Sequence, residues 1–238
     1  MIGDRKILAI IPARAGSKRI KNKNIRMLAG KPLVQWTFDA VMASKYVDAI
    51  YVTTDSPEIA QLAKDNGLLC PELRPGNLAS DTATTNDVLN YVVNNIEKDG
   101  QEFDFFMLLQ PTSPLRKESD IDEAIEVLYK SKKQNLVSLS LCEFPPQFTN
   151  VLPENKSLAG FLNPKAIART QDLHPYYRLN GAIYIYSRHF IGKISEVYCD
   201  DSIAYISRKG TEIDIDNYDD FAFAEYLISK GKGENVVE

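Results

Sequence analysis

Apolar and polar residues follow one another along this chain in blocks that predict alternating strands and helices. Residues 6–12 form an uninterrupted apolar run rich in β-branched side chains, as in a strand covered on both faces of a parallel sheet. Residues 31–44 contain the helix-compatible Pro32 near their start and place their large apolar side chains mostly on one side, which predicts a helix. Because Ala49–Thr53 again has the pattern of a strand, the chain opens as strand, helix, strand.

The same alternation continues to the end of the chain. Ser56 and Pro57 predict a helix start and Gly67 its end, since Ser caps a helix, Pro fits the first turn and Gly tolerates the exit. Three further helices are predicted: one at about 85–97, one that begins at the capping-box-like pair Ser119 and Asp122, and one at Tyr218–Ser229. Further strands are predicted at 103–109, 136–141, 182–187 and 202–207. Such repeated β-α-β units predict an α/β fold, a Rossmann-like, doubly wound and mostly parallel sheet with helices on both faces.

One stretch breaks this alternation. From Cys142 to about residue 175 the sequence has five prolines and weak periodicity, and prolines hinder the hydrogen bonds of both sheets and helices. We therefore predict a single domain over residues 1–238, with residues 142–177 as an inserted, projecting segment.

Composition and charge narrow the class of protein. The 238 residues are 44% hydrophobic and 25% charged, which is enough to bury a full core. Asp and Glu number 32 against 28 Lys and Arg, and this mild acidity argues against a nucleic-acid-binding protein. The first apolar run is too short for a signal sequence or a membrane span, and the three cysteines lack metal-binding spacing. We therefore expect a cytoplasmic protein with reduced thiols.

A local cluster of cations follows the first predicted strand. Residues 10–26, IIPARAGSKRIKNKNIR, contain six Lys and Arg residues. In a parallel sheet this loop lies beyond the carboxyl ends of the strands, where backbone amides around Gly16 and Ser17 would face a ligand. Arg14, Lys18 and Lys23 add charge, and a polyphosphate is the expected counterpart. The Walker motif G-x-x-x-x-G-K-[ST] and the dinucleotide motif G-x-G-x-x-G are both absent, as is a G-x-S-x-G hydrolase motif near His174 or His189.

Five separated blocks extend this pattern over almost the whole chain. They are PARAGSKRIKNKN (12–24), LRPGNLASDTATT (73–85), LLQPTSPLR (108–116), QDLHPYYRLNGAIYI (171–185) and EIDIDNYDD (212–220). In this order they resemble the acylneuraminate cytidylyltransferases, which activate sialic acids and related nine-carbon acidic sugars.

The resemblance implies a fold, an activity and an assembly. It implies a sheet of the nucleotide-diphospho-sugar transferase type and a transfer of CMP from CTP to the sugar, with release of pyrophosphate and a need for Mg²⁺. It also implies a homodimer in which residues 142–177 are the dimerisation segment and pack across a neighbouring subunit. N-acetylneuraminic and legionaminic acids are the expected sugars.

The resemblance also assigns the nucleotide-binding residues. Arg14 and Lys18 are assigned to the triphosphate, where cations would stabilise the departing pyrophosphate and so act in catalysis. The full set of nucleotide-side residues is Ala13, Arg14, Gly16, Ser17, Lys18, Lys23, Asn24, Arg74 and Thr85. The sequence departs from the usual family pattern at Ala15 and at Arg19–Ile20, and we assign Asp81 to a turn or helix cap outside the site.

The metal-binding residues are expected near the end of the chain. Gln110 stands where many sugar nucleotidyltransferases have an acidic metal ligand, but an amide is a poor anchor for Mg²⁺. Residues 212–216 alternate polar and apolar side chains, so an extended strand end would place Asp214 and Asp216 on one face. Two carboxylates suit Mg²⁺, and the resemblance assigns the metal to them. Both are candidate catalytic residues, and Asp216 is the candidate general base.

The sugar is expected to contact a different group of residues. The resemblance makes Gln110 a sugar contact and adds Arg178, Asn180 and Gly181, since an arginine can bind the sugar carboxylate with two hydrogen bonds. Arg169 stands one position earlier than the arginine of the family motif. Arg116 is expected to be a salt-bridged residue at a helix entry.

Other functions remain open at this stage. The proposed reaction is a single in-line displacement in which the anomeric hydroxyl attacks the α-phosphorus of CTP. A nucleotidyltransferase of the same architecture would instead act on Kdo, pseudaminic acid or a sugar phosphate. A CTP-binding module without catalysis is the non-enzyme alternative.

Overall fold

A computed structural model describes residues 1–162 and 174–231 of the chain. In these residues six strands form one sheet, in the order β4-β1-β5-β7-β6-β8. The strands are β1 Ile7–Pro12, β4 Ala49–Thr53, β5 Phe105–Leu108, β6 Asn135–Leu141, β7 Tyr177–Ser187 and β8 Ser202–Ile206. The short strands β2 Met27–Leu28 and β3 Lys31–Pro32 form a separate two-stranded sheet.

The six-stranded sheet is mostly parallel, and β7 is its exception. Strand β1 pairs in parallel with β4 and β5, and β6 pairs in parallel with β8. Strand β7 lies between β5 and β6 and runs antiparallel to both. The beginning of β7 therefore lies at the edge of the sheet where the parallel strands end. The α/β, doubly wound fold predicted from the sequence is confirmed, with this one reversed strand added.

Alternate residues of the buried strands enter two separate cores. Ile7, Ala9 and Ile11 of β1 face the first core, whereas Leu8 and Ile10 face the second. This alternation is what a strand buried on both faces requires. The first core is completed by side chains from the helices α1 Leu33–Met42, α2 Pro57–Asp65 and α5 Glu118–Ser131, and the second by side chains from α4 Thr85–Lys98.

A third, smaller core joins the end of the chain to the loop that follows β1. It contains Ile20 and Leu28 from that loop region, Leu33 from α1, and Phe221 of the last helix, α6 Tyr218–Ser229. Ile215 is buried in the same cluster. The segment carrying Asp214 and Asp216 is therefore packed against the cationic loop, although the two are about 200 residues apart in the sequence.

Most element boundaries agree with the sequence analysis, and the differences have local causes. Helix α5 begins at Glu118, where Asp120 accepts a hydrogen bond from the backbone N–H of Lys117. The predicted cap at Ser119 and Asp122 is therefore wrong, because Asp122 accepts instead from the hydroxyl of Ser44. Strand β7 begins five residues earlier than predicted, at Tyr177 rather than residue 182. The short helix α3 Gly76–Ala79 was not predicted.

The inserted segment is described only in part. Within 142–162 and 174–177 the structure has a short 3₁₀ helix at Pro146–Phe148 and the first residue of β7. Phe144, Val151 and Leu158 are large exposed apolar side chains there. Arg169 lies outside the described residues, so its predicted approach to the site stays a prediction. None of the helices in the described part of the chain is long and apolar enough to span a membrane.

Candidate active site

The candidate site is a cavity of about 290 Å³ at the edge where β1, β4 and β5 end. Three parts of the chain surround it: the loop after β1, the segment from Arg74 to the first turn of α4, and the turn after β5. Seven of the predicted nucleotide-binding residues line it, and they are Arg14, Gly16, Ser17, Lys23, Asn24, Arg74 and Thr85. Gln110 lines it as well. Blocks that are distant in sequence therefore meet at one edge of the sheet.

Backbone contacts hold the loop after β1 in place. The N–H of Ala13 donates to the carbonyl of Thr53, 3.0 Å away, and extends the pairing of β1 with β4. Ala13 itself is fully buried and does not line the cavity. The N–H of Ala15 donates to Asp55, and the amide of Asn24 donates to the carbonyl of Arg14. The loop is thus fixed at both of its ends before any ligand binds.

The two cations assigned to the triphosphate share one carboxylate. Arg14 Nη1 and Lys18 Nζ each lie 2.9 Å from an oxygen of Asp81. These contacts hold the pKa of Asp81 below its ordinary value, with the bonds from Lys18 and then Arg14 as the main causes. Lys18 does not line the cavity but lies beside it through Asp81. The sequence predicts a turn or helix cap for Asp81, and a turn motif carries no information about its place between two predicted phosphate ligands at the cavity wall.

Arg74 and Thr85 form the opposite wall. Arg74 is buried, and its guanidinium donates to the hydroxyl and carbonyl oxygens of Thr53 at the end of β4. Burial lowers the pKa of Arg74. Thr85 is the first residue of α4, and Thr84 before it caps the helix by accepting from the N–H of Asp87. Both threonines line the cavity.

The predicted metal ligands lie next to cations of the phosphate loop. Lys23 Nζ donates to the carbonyl of Ile215 at 2.7 Å, between the two aspartates in sequence. Arg19 Nη1 lies 2.6 Å from a carboxylate oxygen of Asp216. Burial lowers the pKa of Lys23, and the charges of Asp216 and Asp214 oppose that effect. The cationic loop and the acidic segment therefore form one electrostatic unit.

Asp214 is held by the turn that follows β5. The N–H of Ile215 donates to the carbonyl of Thr112 at 2.8 Å, and the neighbouring Thr112 side chain acts to lower the pKa of Asp214. Although Asp214 as a whole residue is exposed, desolvation by the surrounding protein raises its pKa, and the charge of Asp216 adds to the effect. The segment is irregular rather than a strand, yet Asp214 and Asp216 are exposed and Ile215 is buried, as the alternating pattern predicted.

A buried arginine joins the turn after β5 to the start of β7. Arg116 donates to the carbonyl oxygens of Gln110 and Ala182 and to the hydroxyl of Thr37. Its burial lowers its pKa to about 10, so it remains charged at neutral pH. No carboxylate lies within 4.0 Å of it in the described residues, so the predicted salt bridge is wrong. Its place just before α5 agrees with the predicted helix entry.

Gly181 faces the side chain of Gln110 where β7 begins to pair with β5. Its φ is +74°, and a Cβ added there would lie 3.1 Å from Gln110 Oε1. Glycine is therefore required both by the backbone conformation and by the space the amide occupies. This close approach is a direct result of the antiparallel direction of β7.

Asn180 and Arg178 have other surroundings. Asn180 is buried and bonded to three serine hydroxyls, of Ser138, Ser140 and Ser207. Arg178 is exposed and pairs in register with Ser140 of β6. Neither residue lines the cavity beside Gln110, so their predicted contact with the sugar stays a prediction.

A second cavity of about 540 Å³ adjoins the first. The two share Thr84, Thr85, Leu108 and Gln110 as common wall. The rest of the second cavity is lined by Asn86, by three tyrosines and by the loop after β7, namely Tyr184, Tyr186, Tyr198, Gly192, Lys193, Ile194 and Ser195. Desolvation raises the pKa of Tyr184, and the charges of Tyr198 and Asp214 add to this. None of these tyrosines was assigned to the site from the sequence.

Comparisons with known proteins agree with this geometry. Residues 8–226 match the model of the family described as cytidylyltransferase. The chain is 38% identical to the CMP-N,N'-diacetyllegionaminic acid synthase of Legionella pneumophila, over 94% of this chain and 96% of that protein. The chain belongs to the cytidylyltransferase family. The predicted family resemblance is confirmed, and the protein is a CTP-dependent nucleotidyltransferase.

Two further proteins are similar to this cytidylyltransferase family member, one in sequence and one in fold. It is 35% identical to the N-acylneuraminate cytidylyltransferase of Escherichia coli over 97% of this chain, which spans about half of that longer protein, 54% of its length. A solved CMP:2-keto-3-deoxy-manno-octonic acid synthetase complexed with CTP shares the fold, with a TM-score of 0.68 and 17% identity over 95% of this chain and 99% of that one.

The contacts of Asp81 lead to a test of the nucleotide site of this cytidylyltransferase. We expect Asp81→Asn to bind CTP about two to five times more tightly, because exposed ion pairs worth roughly 0.2–1 kcal/mol no longer compete with the triphosphate for Arg14 and Lys18. Calorimetric titration with CTP measures the effect, and Asp99→Asn at the exposed end of α4 is the matched control. Weaker binding by the variant would show instead that Asp81 positions the cations.

Proposed function

We propose that this protein transfers CMP from CTP to the anomeric hydroxyl of a nine-carbon acidic sugar of the N-acetylneuraminic or legionaminic acid type, releasing pyrophosphate. The observation that carries this proposal is the pair of adjoining cavities that share Gln110 and the first turn of α4. One cavity is lined by the cationic loop and suits a nucleoside triphosphate. The other is large enough for a sugar, since ligand cavities of about 300–1,000 Å³ are usual.

The named relatives support the choice of sugar. The relative from Legionella pneumophila is named for diacetyllegionaminic acid, and this chain covers nearly all of it. The relative from Escherichia coli is named for N-acylneuraminate. We place the reaction in the cytoplasm, where CTP is available.

We propose that Asp214 and Asp216 hold Mg²⁺. The charge of Asp216 acts on Asp214, so the two carboxylates are close neighbours, and in the described residues no group of three or more His, Cys, Asp or Glu side chains is placed to hold a metal ion. This pair suits Mg²⁺, which commonly takes one or two carboxylates together with phosphate oxygens and waters. Desolvation and the neighbouring carboxylate destabilise the charge of Asp214, and a cation would relieve both effects.

Different residues of the chain then have different roles in the proposed in-line displacement. Mg²⁺, when bound, would supply positive charge to the phosphates. Arg14 and Lys18 would exchange Asp81 for the triphosphate and stabilise the charge that develops on the pyrophosphate. Gln110, at the common wall, would orient the sugar hydroxyl toward the nucleotide, and Asp216 is the candidate acceptor of its proton.

The first test is pyrophosphate release by the purified protein with CTP and Mg²⁺. We expect release with N-acetylneuraminic acid or diacetyllegionaminic acid and much less with pseudaminic acid or Kdo, because pocket side chains discriminate between ring substituents. ATP, GTP and UTP are the nucleotide controls. Pyrophosphate release only with a sugar phosphate would show that the substrate belongs to that class. CTP binding without pyrophosphate release for any sugar would favour a non-catalytic module.

The metal assignment has its own test. We expect Asp214→Asn to lower turnover by roughly 100-fold or more, since a lost catalytic electrostatic contact typically costs that much. The variant should also bind Mn²⁺ more weakly in the presence of CTP, as measured by electron paramagnetic resonance. Asp4→Asn, with a carboxylate 95% exposed at the start of the chain, is the matched control. Near-normal turnover and Mn²⁺ binding by Asp214→Asn would overturn the assignment.

We also propose that the protein is a homodimer joined through residues 142–177. The exposed apolar side chains Phe144, Val151 and Leu158 of this segment support this, because burying exposed apolar surface favours association. Sedimentation at micromolar concentration should give the mass of two chains, and Val151→Glu together with Leu158→Glu should shift it toward one. Leu69→Glu, at a comparably apolar exposed position away from this segment, is the control. A monomeric wild-type protein would refute the dimer.

A further inference from the structure

We propose that the ammonium group of Lys193 binds the carboxylate of the acidic sugar and thereby selects acidic sugars as substrates. This inference rests on the proposed function, because it concerns the sugar cavity of the same reaction. The sequence-based prediction assigns the carboxylate to Arg178 of β7, and Lys193 is an alternative partner for it.

A cavity that binds an acidic sugar needs a cation to pair with the sugar carboxylate, and Lys193 lines the second cavity. Among the described residues that line this cavity, Lys193 is the one with a charged side chain. The others contribute aromatic rings, amides, hydroxyls and apolar groups, which suit the ring and the acyl groups of a sugar. A buried or half-buried carboxylate, by contrast, requires a charge partner or strong hydrogen bonds.

Arg178 does not line this cavity. It precedes Tyr184, which lines the cavity, by six residues of the same strand. At about 3.3 Å per residue this separation from Tyr184 is roughly 20 Å, whereas Lys193 itself lines the cavity. Arg178 is also paired in register with Ser140, in the part of β6 that extends toward the inserted segment.

The loop that carries Lys193 is fixed to the nucleotide side of the site. The side-chain amide of Asn86, in the first turn of α4, donates to the carbonyl of Gly192 at 2.9 Å and accepts from the N–H of Ile194 at 3.3 Å. The N–H of Lys193 donates to the carbonyl of Phe190 at 3.1 Å. Gly192 has a φ of +94°, which favours glycine at this turn. The position of Lys193 is therefore set by the same helix that carries Thr85.

The ammonium group has no carboxylate partner closer than 4.0 Å in the described residues, and it lies 5.9 Å from the centre of the Phe190 ring. Its nearest carboxylate in the described residues is that of Glu196, 4.0 Å away, and Nζ lies 3.0 Å from His189 Nε2. The Lys193 side chain is 37% exposed and the Glu196 side chain 64% exposed, so their interaction is screened by water. A substrate carboxylate entering the cavity would displace this distant pair at little cost.

The experiment compares an acidic sugar with its C1 amide, in which the carboxylate is neutral. Pyrophosphate release is measured with CTP and the sugar that the wild-type protein uses best. We expect Lys193→Met to lower kcat/KM for the acid by about 10- to 100-fold, mainly through KM for the sugar, because a charge-assisted hydrogen bond is lost. The KM for CTP should stay unchanged, and Lys193→Arg should restore most of the activity.

The preference for the acid over the amide is the deciding measurement. The wild-type protein should prefer the acid by a similar factor, and Lys193→Met should lose most of that preference. Lys98→Met, at an exposed lysine near the end of α4, is the matched control. Lys193→Gln provides a second neutral variant, and thermal melting shows whether each variant is folded.

The two proposals fail in different ways. If the wild-type protein releases pyrophosphate with an acidic sugar and the folded Lys193→Met variant keeps the full preference for the acid, the assignment of Lys193 is wrong while the proposed function stands. If the wild-type protein neither turns over nor binds any acidic sugar in the presence of CTP, both proposals are wrong.

Discussion

The direction of a single strand determines where the active site of this cytidylyltransferase lies. Strands β1, β4 and β5 run parallel and end at one edge of the sheet, where ligands bind in open α/β folds. Because β7 runs antiparallel to β5, its first half lies at that same edge and brings Gly181 against Gln110. Tyr184 and Tyr186 of the same strand line the second cavity, so the direction of β7 also places these rings beside Leu108 and Gln110.

Buried polar contacts keep this arrangement rigid. The charge of Arg116 is buried and bonded to main-chain carbonyls on both sides of the β5–β7 junction, which leaves little freedom for Gln110 or Ala182 to move. Asn180 extends the same pattern to β6 through Ser138 and Ser140. Buried hydrogen bonds of this kind favour one geometry, since breaking them leaves polar groups without partners, although Nε of Arg116 has no hydrogen-bond partner among the described residues. The reacting groups can therefore be positioned by a scaffold that is already formed.

The charges around the cavities are arranged differently, because they lie where water reaches them. Arg14 and Lys18 contact Asp81, and Arg19 contacts Asp216. Exposed ion pairs of this kind are worth about 0–1 kcal/mol, so a triphosphate or a metal ion that offers several stronger contacts can replace them. The protein thus combines a rigid buried frame with exposed charged groups whose ion-pair partners can be exchanged. A site that must bind and release polyanionic ligands requires such exchange.

The sequence by itself determined the class of fold, most of the elements and the family, because hydrophobic periodicity and the order of the motif blocks are local properties of the chain. It also placed Arg14, Lys23, Arg74 and Gln110 at one edge, since loops after parallel strands meet there. Only the tertiary structure decided which side chains share a wall or a partner, such as Asp81 with Arg14 and Lys18, Thr112 with Asp214, and Lys193 with the tyrosines of the second cavity. The contacts of Asp81 and Asp214 join residues about 60 to 100 positions apart in the chain, and a pattern read along the chain carries no information about the antiparallel direction of β7, the strand that carries Tyr184 and Tyr186.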